Sequence, residues 1–221
     1  MTPYGKDVIR NVLIFTLMLD LIAFFIPVVI IKVLVLAISV AFFLFTLYFF
    51  RDPERRLPKG ITENTIISPA DGKVVLIEDI VNNEKNSFAL GEHLKQISIF
   101  LSPLNVHVNR FPLTGTINFF RYVKGEYIVA FDHKASERNE HTEIGIINSN
   151  SKQLITKQIA GFVARRIVCD LKEGGKADVG ERFGMIKFGS RMDIICKPDT
   201  KIMVEIGQKV VAGETIIAEL Q

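Results

Sequence analysis

The sequence predicts a mainly β domain, of the β-sandwich or barrel-sandwich-hybrid kind, preceded by an N-terminal transmembrane helical hairpin. One observation is a pair of long apolar runs, residues 12–31 and 33–50, ahead of an ordinary globular sequence. Another is a series of short segments after Ile66 that are rich in Ile, Val and Phe and bounded by Gly, Pro, Asn or Asp. Since no amphipathic helix longer than two turns is visible after residue 60, these segments indicate strands.

The two apolar runs contain 20 and 18 residues, and a helix of about 20 residues crosses the hydrocarbon core of a bilayer. Lys32 separates the runs, and Pro27 weakens the first helix near its end. We therefore expect two antiparallel spans joined by a tight turn near Lys32. One long tilted span, or a hairpin that enters the membrane and returns, is the alternative.

Basic residues flank the apolar runs on both sides, at Lys6, Arg10, Arg51, Arg55, Arg56 and Lys59. Positive charge collects on the cytoplasmic side of a membrane, so both ends of the hairpin are predicted to be cytosolic. The chain is then a cell-membrane protein whose globular domain faces the cytosol. We expect the arginines after the hairpin, including Arg55, to contact anionic lipid headgroups.

Composition narrows the function classes. The net charge of +3 is too small to favour a nucleic-acid partner. Cys169 and Cys196 lie in apolar stretches without metal-ligand spacing, which predicts two buried thiols and no metal site. Residues 51–221 are enough for one domain with its own core.

The predicted strands of this domain follow one another closely. They are Lys73–Ile77, Gln96–Leu101, Gly115–Tyr122, Tyr127–Phe131, Thr142–Asn148, Leu154–Ile159, Phe162–Val168, Arg182–Phe188 and Met192–Cys196. Residues 204–218 resemble the strand-turn-strand of biotinyl and lipoyl carrier domains, and residues 71–75 are a plausible symmetry partner. The lysine that carries the cofactor in those domains is absent, so the shape is expected without the attachment chemistry.

Gly189 and Ser190 form a dipeptide between two predicted strands. A serine hydroxyl can attack the carbonyl before it, and glycine has no Cβ to hinder the approach. Such an attack needs a base and a carboxylate that orients it. Asp71, in a Ser-Pro-Ala-Asp-Gly turn, and His107, in a predicted strand, are candidates for these groups. Taken singly, each is ordinary: a turn dipeptide, a hairpin turn and a structural histidine.

Several sequence blocks, in order along nearly the whole chain, resemble the phosphatidylserine decarboxylase proenzymes in their short membrane-anchored form. The blocks are Phe50–Arg55, Ser68–Val74, Phe100–Pro103, His107–Arg110, Lys134–Glu140, Ala164–Ile167 and Glu181–Arg191. Any one block alone is weak. The set in this order is specific.

The resemblance implies a role for each matching position. Ser190 would become a covalent pyruvoyl cofactor after cleavage at Gly189, which gives fragments 1–189 and 190–221. Asp71 matches the charge-relay aspartate, and His107 matches the first histidine of a His-x-x-His segment. Arg110 stands at the second histidine, to which longer relatives assign self-cleavage. The maturation base is therefore either His107 or another group.

The implied enzyme is a pyruvoyl-dependent carboxy-lyase that turns phosphatidylserine into phosphatidylethanolamine through a Schiff base, in phospholipid biosynthesis. Residues 1–50 would anchor it to the membrane, and residues 51–221 would be catalytic. Its substrate partner would be a phospholipid in the bilayer. The two cleavage fragments would form a heterodimer, and further dimerisation is left open. His107 is the candidate proton donor. Phe100, Leu101 and Phe188 are expected to form apolar walls.

Three other interpretations are open from the residues. The chain could be a membrane-anchored carrier-type or adaptor module, although the long helical hairpin of adaptors is not visible. It could decarboxylate another aminophospholipid. A serine hydrolase is disfavoured, because no Gly-x-Ser-x-Gly elbow surrounds Ser190.

Overall fold

The structure is a computed structural model that describes residues 1–126, 138–161, 166–187 and 190–221. The chain divides into two compact units, Met1–Pro53 and Glu54–Gln221. The first is helical. The second is built almost entirely from strands, which confirms the prediction of a mainly β domain.

The first unit contains helix α1 (Lys6–Phe24) and helix α2 (Val29–Phe49), which pack against each other as a hairpin. The connecting turn at residues 25–28 contains Pro27. The predicted turn at Lys32 is therefore wrong, since Lys32 lies in the first turn of α2. Its ammonium group sits 5.3 Å from the centre of the Phe24 ring, a contact that accommodates the charge without ending the helix.

The two helices differ in their capacity to cross a membrane. Among the described residues, α2 is the one helix that is long and apolar enough, with a mean hydropathy of 2.7. Helix α1 carries four charged residues, Lys6, Asp7, Arg10 and Asp20. The expectation of two equivalent spans is therefore not supported for α1.

The second unit contains fourteen strands among the described residues. They are β1 (Thr65–Ile67), β2 (Gly72–Val81), β3 (His93–Leu101), β4 (Val108–Arg110), β5 (Gly115–Val123), β6 (His141–Ile147), β7 (Gln153–Ile159), β8 (Arg166–Cys169), β9 (Lys176–Ala177), β10 (Arg182–Lys187), β11 (Ser190–Cys196), β12 (Lys201–Ile202), β13 (Lys209–Val210) and β14 (Ile216–Glu219). The predicted strand Tyr127–Phe131 and the first residues of Phe162–Val168 lie outside the described residues.

The strands form three antiparallel sheets. Eight strands make a curled sheet in the order β13-β2-β3-β11-β7-β6-β5-β9. The two smaller sheets have the orders β1-β14-β12 and β4-β10-β8. Strand β11 is central to the large sheet, because β3 pairs with one of its edges and β7 with the other.

In the central strands of the large sheet, β3, β11, β7 and β6, both faces are buried but differ in chemistry. One face packs into the main core through aliphatic side chains such as Ile99, Ile144 and Ile194. On the other face, one row runs across neighbouring strands with alternating charge, in the order Arg121, Glu143, Lys157 and Asp193. Alternating residues of a strand point to opposite faces, so β11 contributes to both environments.

The tail lies beside residues 71–75, the segment that the sequence suggests as its symmetry partner. Strand β13 lies antiparallel to β2, with Val210 opposite Gly72 and Lys209 opposite Lys73. At Gly72 the backbone comes very close to β3, because a Cβ there would lie 2.4 Å from the Phe100 carbonyl oxygen. Glycine is thus required where these strands converge.

Candidate active site

Ser190 is the first residue of β11 and lies opposite Leu101 on β3. Its side chain is completely buried, and its hydroxyl has no hydrogen-bond partner among the described residues. Leu101 is also fully buried, as expected for an apolar wall beside this serine. Gly189 and Phe188, which were predicted to belong to the same site, lie outside the described residues.

His107 is buried immediately before β4. Its Nδ1 atom lies 2.9 Å from the carbonyl oxygen of Asn105. A carbonyl oxygen only accepts hydrogen bonds, so Nδ1 of the neutral ring holds the proton and Nε2 holds the lone pair. His107 also links to β10, since its carbonyl oxygen accepts a bond from the Ile186 amide at 3.4 Å.

Asn105 fixes the turn that leads into His107. Its side-chain oxygen accepts hydrogen bonds from the amide and the hydroxyl of Ser102, both at 2.8 Å. Its own amide donates to the Ser102 carbonyl oxygen at 2.9 Å. Asn favours turns because its side chain bonds to nearby backbone in this way. The turn at residues 102–105 therefore fixes the position of the Asn105 carbonyl oxygen, which in turn orients the His107 ring two residues later.

Asp71 precedes β2 and is held by two partners. Arg55 Nη2 donates to its two carboxylate oxygens at 2.9 and 2.7 Å, and the amide of Ala212 donates at 2.9 Å. Both side chains of the ion pair are 14% exposed. Arg55 was expected to face lipid headgroups, and that expectation is wrong because its guanidinium is engaged by Asp71.

The strand register brings Asp71 and Ser190 to the same end of β3. Ser190 pairs with Leu101 on one edge, while Lys73, two residues after Asp71, pairs with Phe100 on the other edge. The turn that holds His107 continues directly from this end. The structure does not place Asp71 in hydrogen-bond contact with His107: among the described residues its carboxylate bonds to Arg55 and Ala212.

A cleft of about 490 Å³ opens beside this end of β3. It is lined by Asp71, Gly72, Lys73, Phe100, Ser102, Asn105, Lys209, Val210 and Val211. The lining joins an acidic group, two lysines and an aromatic wall in one depression next to the candidate residues. A site of this volume is within the range that small ligands and headgroups occupy.

Residues 42–218 match the sequence model of the family described as phosphatidylserine decarboxylase. The chain belongs to this family. It is 48% identical over 217 residues to the phosphatidylserine decarboxylase proenzyme of Chlorobium phaeobacteroides, and the match covers 98% of each chain. The proenzymes of Chlorobium chlorochromatii and Chlorobium luteolum are 43% and 45% identical, over 98% and 99% of each chain.

Membership of the phosphatidylserine decarboxylase family confirms the expectation of a decarboxylase. The relatives' names call them proenzymes, so they are made as precursors. Because the chain matches a family of enzymes, the alternative interpretation as a carrier-type or adaptor module is no longer supported.

Arg110, at the position of the second histidine of longer decarboxylases, has a structural contact. It is 5% exposed, and its Nη1 donates to the carbonyl oxygen of Gly180 at 2.9 Å. Next to Ser190, Arg191 forms a buried ion pair with Asp193 through bonds of 2.6 and 3.1 Å. The pair neutralises the charge introduced beside the candidate serine.

A buried charge network lies farther along the charged face of the sheet. Lys157 Nζ lies 2.5 Å from Glu143 and 3.2 Å from Glu84, and Arg121 bonds to both carboxylates. Burial opposes the charged form of Lys157, but the two carboxylates outweigh it and raise its pKa. Burial likewise opposes the charged form of Glu84, yet Lys157 and Arg121 lower its pKa.

Glu84, His141 and Glu143 have ligand atoms within 4.8 Å of one another, as a metal site would. Lys157 and Arg121 already neutralise the two carboxylates, so this cluster is better described as an ion-pair network. The absence of a metal site stays a prediction.

Sequence reasoning missed two residues that contact the candidate residues, Arg55 and Asn105. Arg55 lies 16 positions before Asp71, and no local pattern links the two. Asn105 had a signal, since Asn after Ser-Pro is typical of a turn, but the contact with the His107 ring depends on the backbone path.

Proposed function

We propose that this chain cuts itself between Gly189 and Ser190 and then decarboxylates phosphatidylserine to phosphatidylethanolamine with a pyruvoyl group formed from Ser190. The supporting observation is the buried Ser190 hydroxyl, which has no hydrogen-bond partner in the described part of the chain and lies at the end of β3 from which the His107 turn continues. Buried polar groups are nearly always paired, so an orphaned hydroxyl in a decarboxylase proenzyme calls for a chemical reason.

The maturation chemistry balances within the chain and one water molecule. The Ser190 oxygen attacks the Gly189 carbonyl carbon, the C–N bond breaks, and the hydroxyl proton passes to the freed amine. The resulting ester loses the Gly189 carboxylate by β-elimination, which takes a proton from the Cα of residue 190. The dehydroalanine that remains is hydrolysed, with loss of ammonia, to the pyruvoyl group.

The buried hydroxyl fits this requirement. Ser190 needs a base to accept its proton, and a group already held by a strong hydrogen bond would be a weaker nucleophile. A pyruvoyl group at residue 190 would supply a carbonyl able to condense with the substrate amine and would act as the electron sink for loss of CO₂. Leu101 excludes water on one side of residue 190.

His107 is the proton carrier in this proposal. The Asn105 carbonyl keeps the Nδ1 proton in place, which leaves Nε2 able to accept or return a proton. In decarboxylation, that atom protonates the carbon that has lost CO₂. Self-cleavage of a His107→Gln variant tests whether Nε2 also accepts the Ser190 proton during maturation.

Asp71 supplies fixed negative charge near the cleavage point. Its pair with Arg55 keeps that charge localised at the mouth of the cleft. We propose that it supports maturation through the field it creates, because its hydrogen bonds run to Arg55 and Ala212 and not to His107.

The two fragments are expected to remain one assembly. Strand β11 of fragment 190–221 lies between β3 and β7 of fragment 1–189, and β13 pairs with β2. Strand β14 also pairs with β1. Fragment 190–221 would therefore stay bound through its ladder hydrogen bonds, and further dimerisation is not required for this.

We propose that α2 anchors the enzyme in the cell membrane, with the β unit on the cytosolic side. A diacyl lipid leaves a bilayer only at a cost of about 0.8 kcal/mol per exposed CH₂ group, so the enzyme must come to its substrate. The four basic residues that follow α2, at positions 51, 55, 56 and 59, outnumber Lys6 and Arg10 before the hairpin, and this excess favours the cytosolic side for the β unit.

The test compares Ser190→Ala with Thr156→Val in the full chain. Thr156 is also fully buried and its hydroxyl also lacks a partner, so it controls for burial alone. The assay measures CO₂ released from carboxyl-labelled phosphatidylserine in mixed micelles. We expect no release from Ser190→Ala and near-normal release from Thr156→Val. Release by Ser190→Ala would overturn the proposal.

A further inference from the structure

Two lysines face each other across a strand pair at the rim of the cleft. Lys209 on β13 is the register partner of Lys73 on β2, and both side chains are exposed. Like charges directly opposite in a sheet repel each other and destabilise the pair. Neither ammonium has an ion pair or side-chain hydrogen bond among the described residues. A bound anion would relieve this repulsion.

Two exposed apolar residues flank the same lysines. Leu104 is 62% exposed at the tip of the Ser102–Asn105 turn, whose first and last residues line the cleft. Ile206 is also 62% exposed, in a turn closed by the bond from the Gln208 amide to the Glu205 carbonyl oxygen. The next residue of that turn, Gly207, lies against the Lys73 side chain.

We propose that Lys73, Lys209, Leu104 and Ile206 form a docking rim that binds the surface of an anionic phospholipid bilayer. The lysines pair with lipid phosphates, while the two aliphatic tips enter the interface between headgroups and acyl chains. Charge complementarity and the apolar tips beside the lysines favour a lipid surface over a soluble anion, which would leave Leu104 and Ile206 in water.

The docking rim adds a contact made by the β unit itself to the anchoring proposed for α2. The docking itself does not depend on the proposed function. Only its purpose does, which is to hold the opening of the Asp71-lined cleft at the level of the lipid headgroups. Its test needs no catalytic turnover, so failure of one proposal can be told from failure of the other.

The chain contains no tryptophan, so a single introduced tryptophan reports its own depth. The variants are Leu104→Trp and Ile206→Trp in the full chain, reconstituted in phosphatidylglycerol vesicles with and without brominated acyl chains. The control is Leu90→Trp, because Leu90 is 59% exposed but lies in the loop at the opposite end of β2 and β3. Strands of nine to ten residues separate the two ends by roughly 30 Å.

We expect blue-shifted emission and strong bromine quenching for Leu104→Trp and Ile206→Trp, and neither for Leu90→Trp. Quenching should disappear in vesicles of neutral lipid alone. Equal quenching at all three positions, or none at residues 104 and 206, overturns the docking rim. A blue shift that is the same without vesicles and that grows with the concentration of added wild-type chain would assign the rim to self-association and also overturn the proposal.

A second comparison tests the lysines. Adding Lys73→Gln and Lys209→Gln to Leu104→Trp should weaken docking by about 25-fold, since each lysine near an anionic surface contributes about fivefold. Lys85→Gln is the matched control, because Lys85 is exposed in the same distant loop as Leu90. Unchanged quenching in the double-lysine variant contradicts the role given to the lysines. If quenching behaves as expected while Ser190→Ala still releases CO₂, the docking rim stands and the proposed chemistry fails.

Discussion

The regions around Ser190 and Asp71 lie at the same end of β3 but treat their polar groups in opposite ways. The Ser190 hydroxyl is fully buried and has no partner among the residues that the structure describes. The Asp71 carboxylate, which is slightly exposed, has a two-oxygen ion pair and a backbone hydrogen bond. In the proposed mechanism, this contrast separates a group that reacts from a group that only holds its charge.

The energetic costs of the two regions differ accordingly. An unpaired buried hydroxyl costs about 1–3 kcal/mol of stability, and the fold tolerates this at Ser190. At Asp71 the arginine and the amide offset the desolvation of the charge, so this region contributes to stability. Substitutions at Ser190, His107, Asp71 and Glu84 test this difference between the two regions.

The largest effect is expected at Ser190. Ser190→Cys keeps a nucleophile that forms a thioester and eliminates to the same dehydroalanine, so it should still yield fragments at a reduced rate. Ser190→Ala should yield none. Denaturing electrophoresis over time measures both. If the cysteine and alanine variants behave alike, the nucleophile assigned to this region is wrong.

His107→Gln is expected to have the next largest effect. A glutamine side chain cannot accept and return a proton as an imidazole does, so turnover should fall about 10²–10⁴-fold. Electrophoresis of the same sample assigns the maturation base: an uncut chain gives that role to His107 as well, and a cut chain gives it to another group. A variant that is both cut and fully active would contradict the role of His107.

Asp71→Asn should have a moderate effect on stability. It leaves the largely buried Arg55 guanidinium without its counter-charge, which costs about 2–4 kcal/mol. Combining it with Arg55→Gln should recover much of this loss in urea unfolding, while self-cleavage stays slow because the negative charge is still missing. Full recovery of cleavage in the double variant would show that Asp71 acts only through stability.

The smallest effect on self-cleavage is expected in the charge network of Glu84, Glu143, Lys157 and Arg121. This network lies outside the Ser190 and Asp71 regions and serves as a control for both. Glu84 has a lowered pKa in the folded chain, so its stabilisation is present above the unfolded value of 4.5 and is lost as pH falls below it. Lys157 has a raised pKa, so its contribution is present below 10.5 and is lost as pH rises above that value.

Glu84→Gln should therefore lower stability at neutral pH by about 1 kcal/mol and flatten the loss of stability below pH 4.5. Urea midpoints measured across the pH range give both quantities. Self-cleavage should be unchanged. A steeper acid loss in the variant would contradict the assigned direction of the Glu84 pKa.

Local patterns predicted most of the fold. Strands such as β3, β7 and β11 were found from Ile- and Val-rich segments between turn residues, because burial of alternating side chains leaves a clear signal. The hairpin turn was misplaced because Lys32 was given more weight than Pro27. A charge near a helix end can reach a favourable contact, whereas proline removes a helical hydrogen bond.

The candidate site could be predicted only in part. Ser190, His107 and Asp71 were predicted from sequence blocks and their roles stay predictions, while the strand register brings Ser190 and the start of β2 to the same end of β3. The Arg55–Asp71 pair and the contact between Asn105 and the His107 ring were not foreseen. Both depend on how distant or turning backbone segments meet, which one sequence does not encode locally.

The intact mass of the purified full chain tests the central claim most directly. The account predicts two polypeptides, one ending at Gly189 and a smaller one beginning at residue 190 with a pyruvoyl group in place of serine. Ser190→Ala should give a single mass for the whole chain. An active preparation that contains only the continuous chain, with an unmodified serine at position 190, would contradict the account.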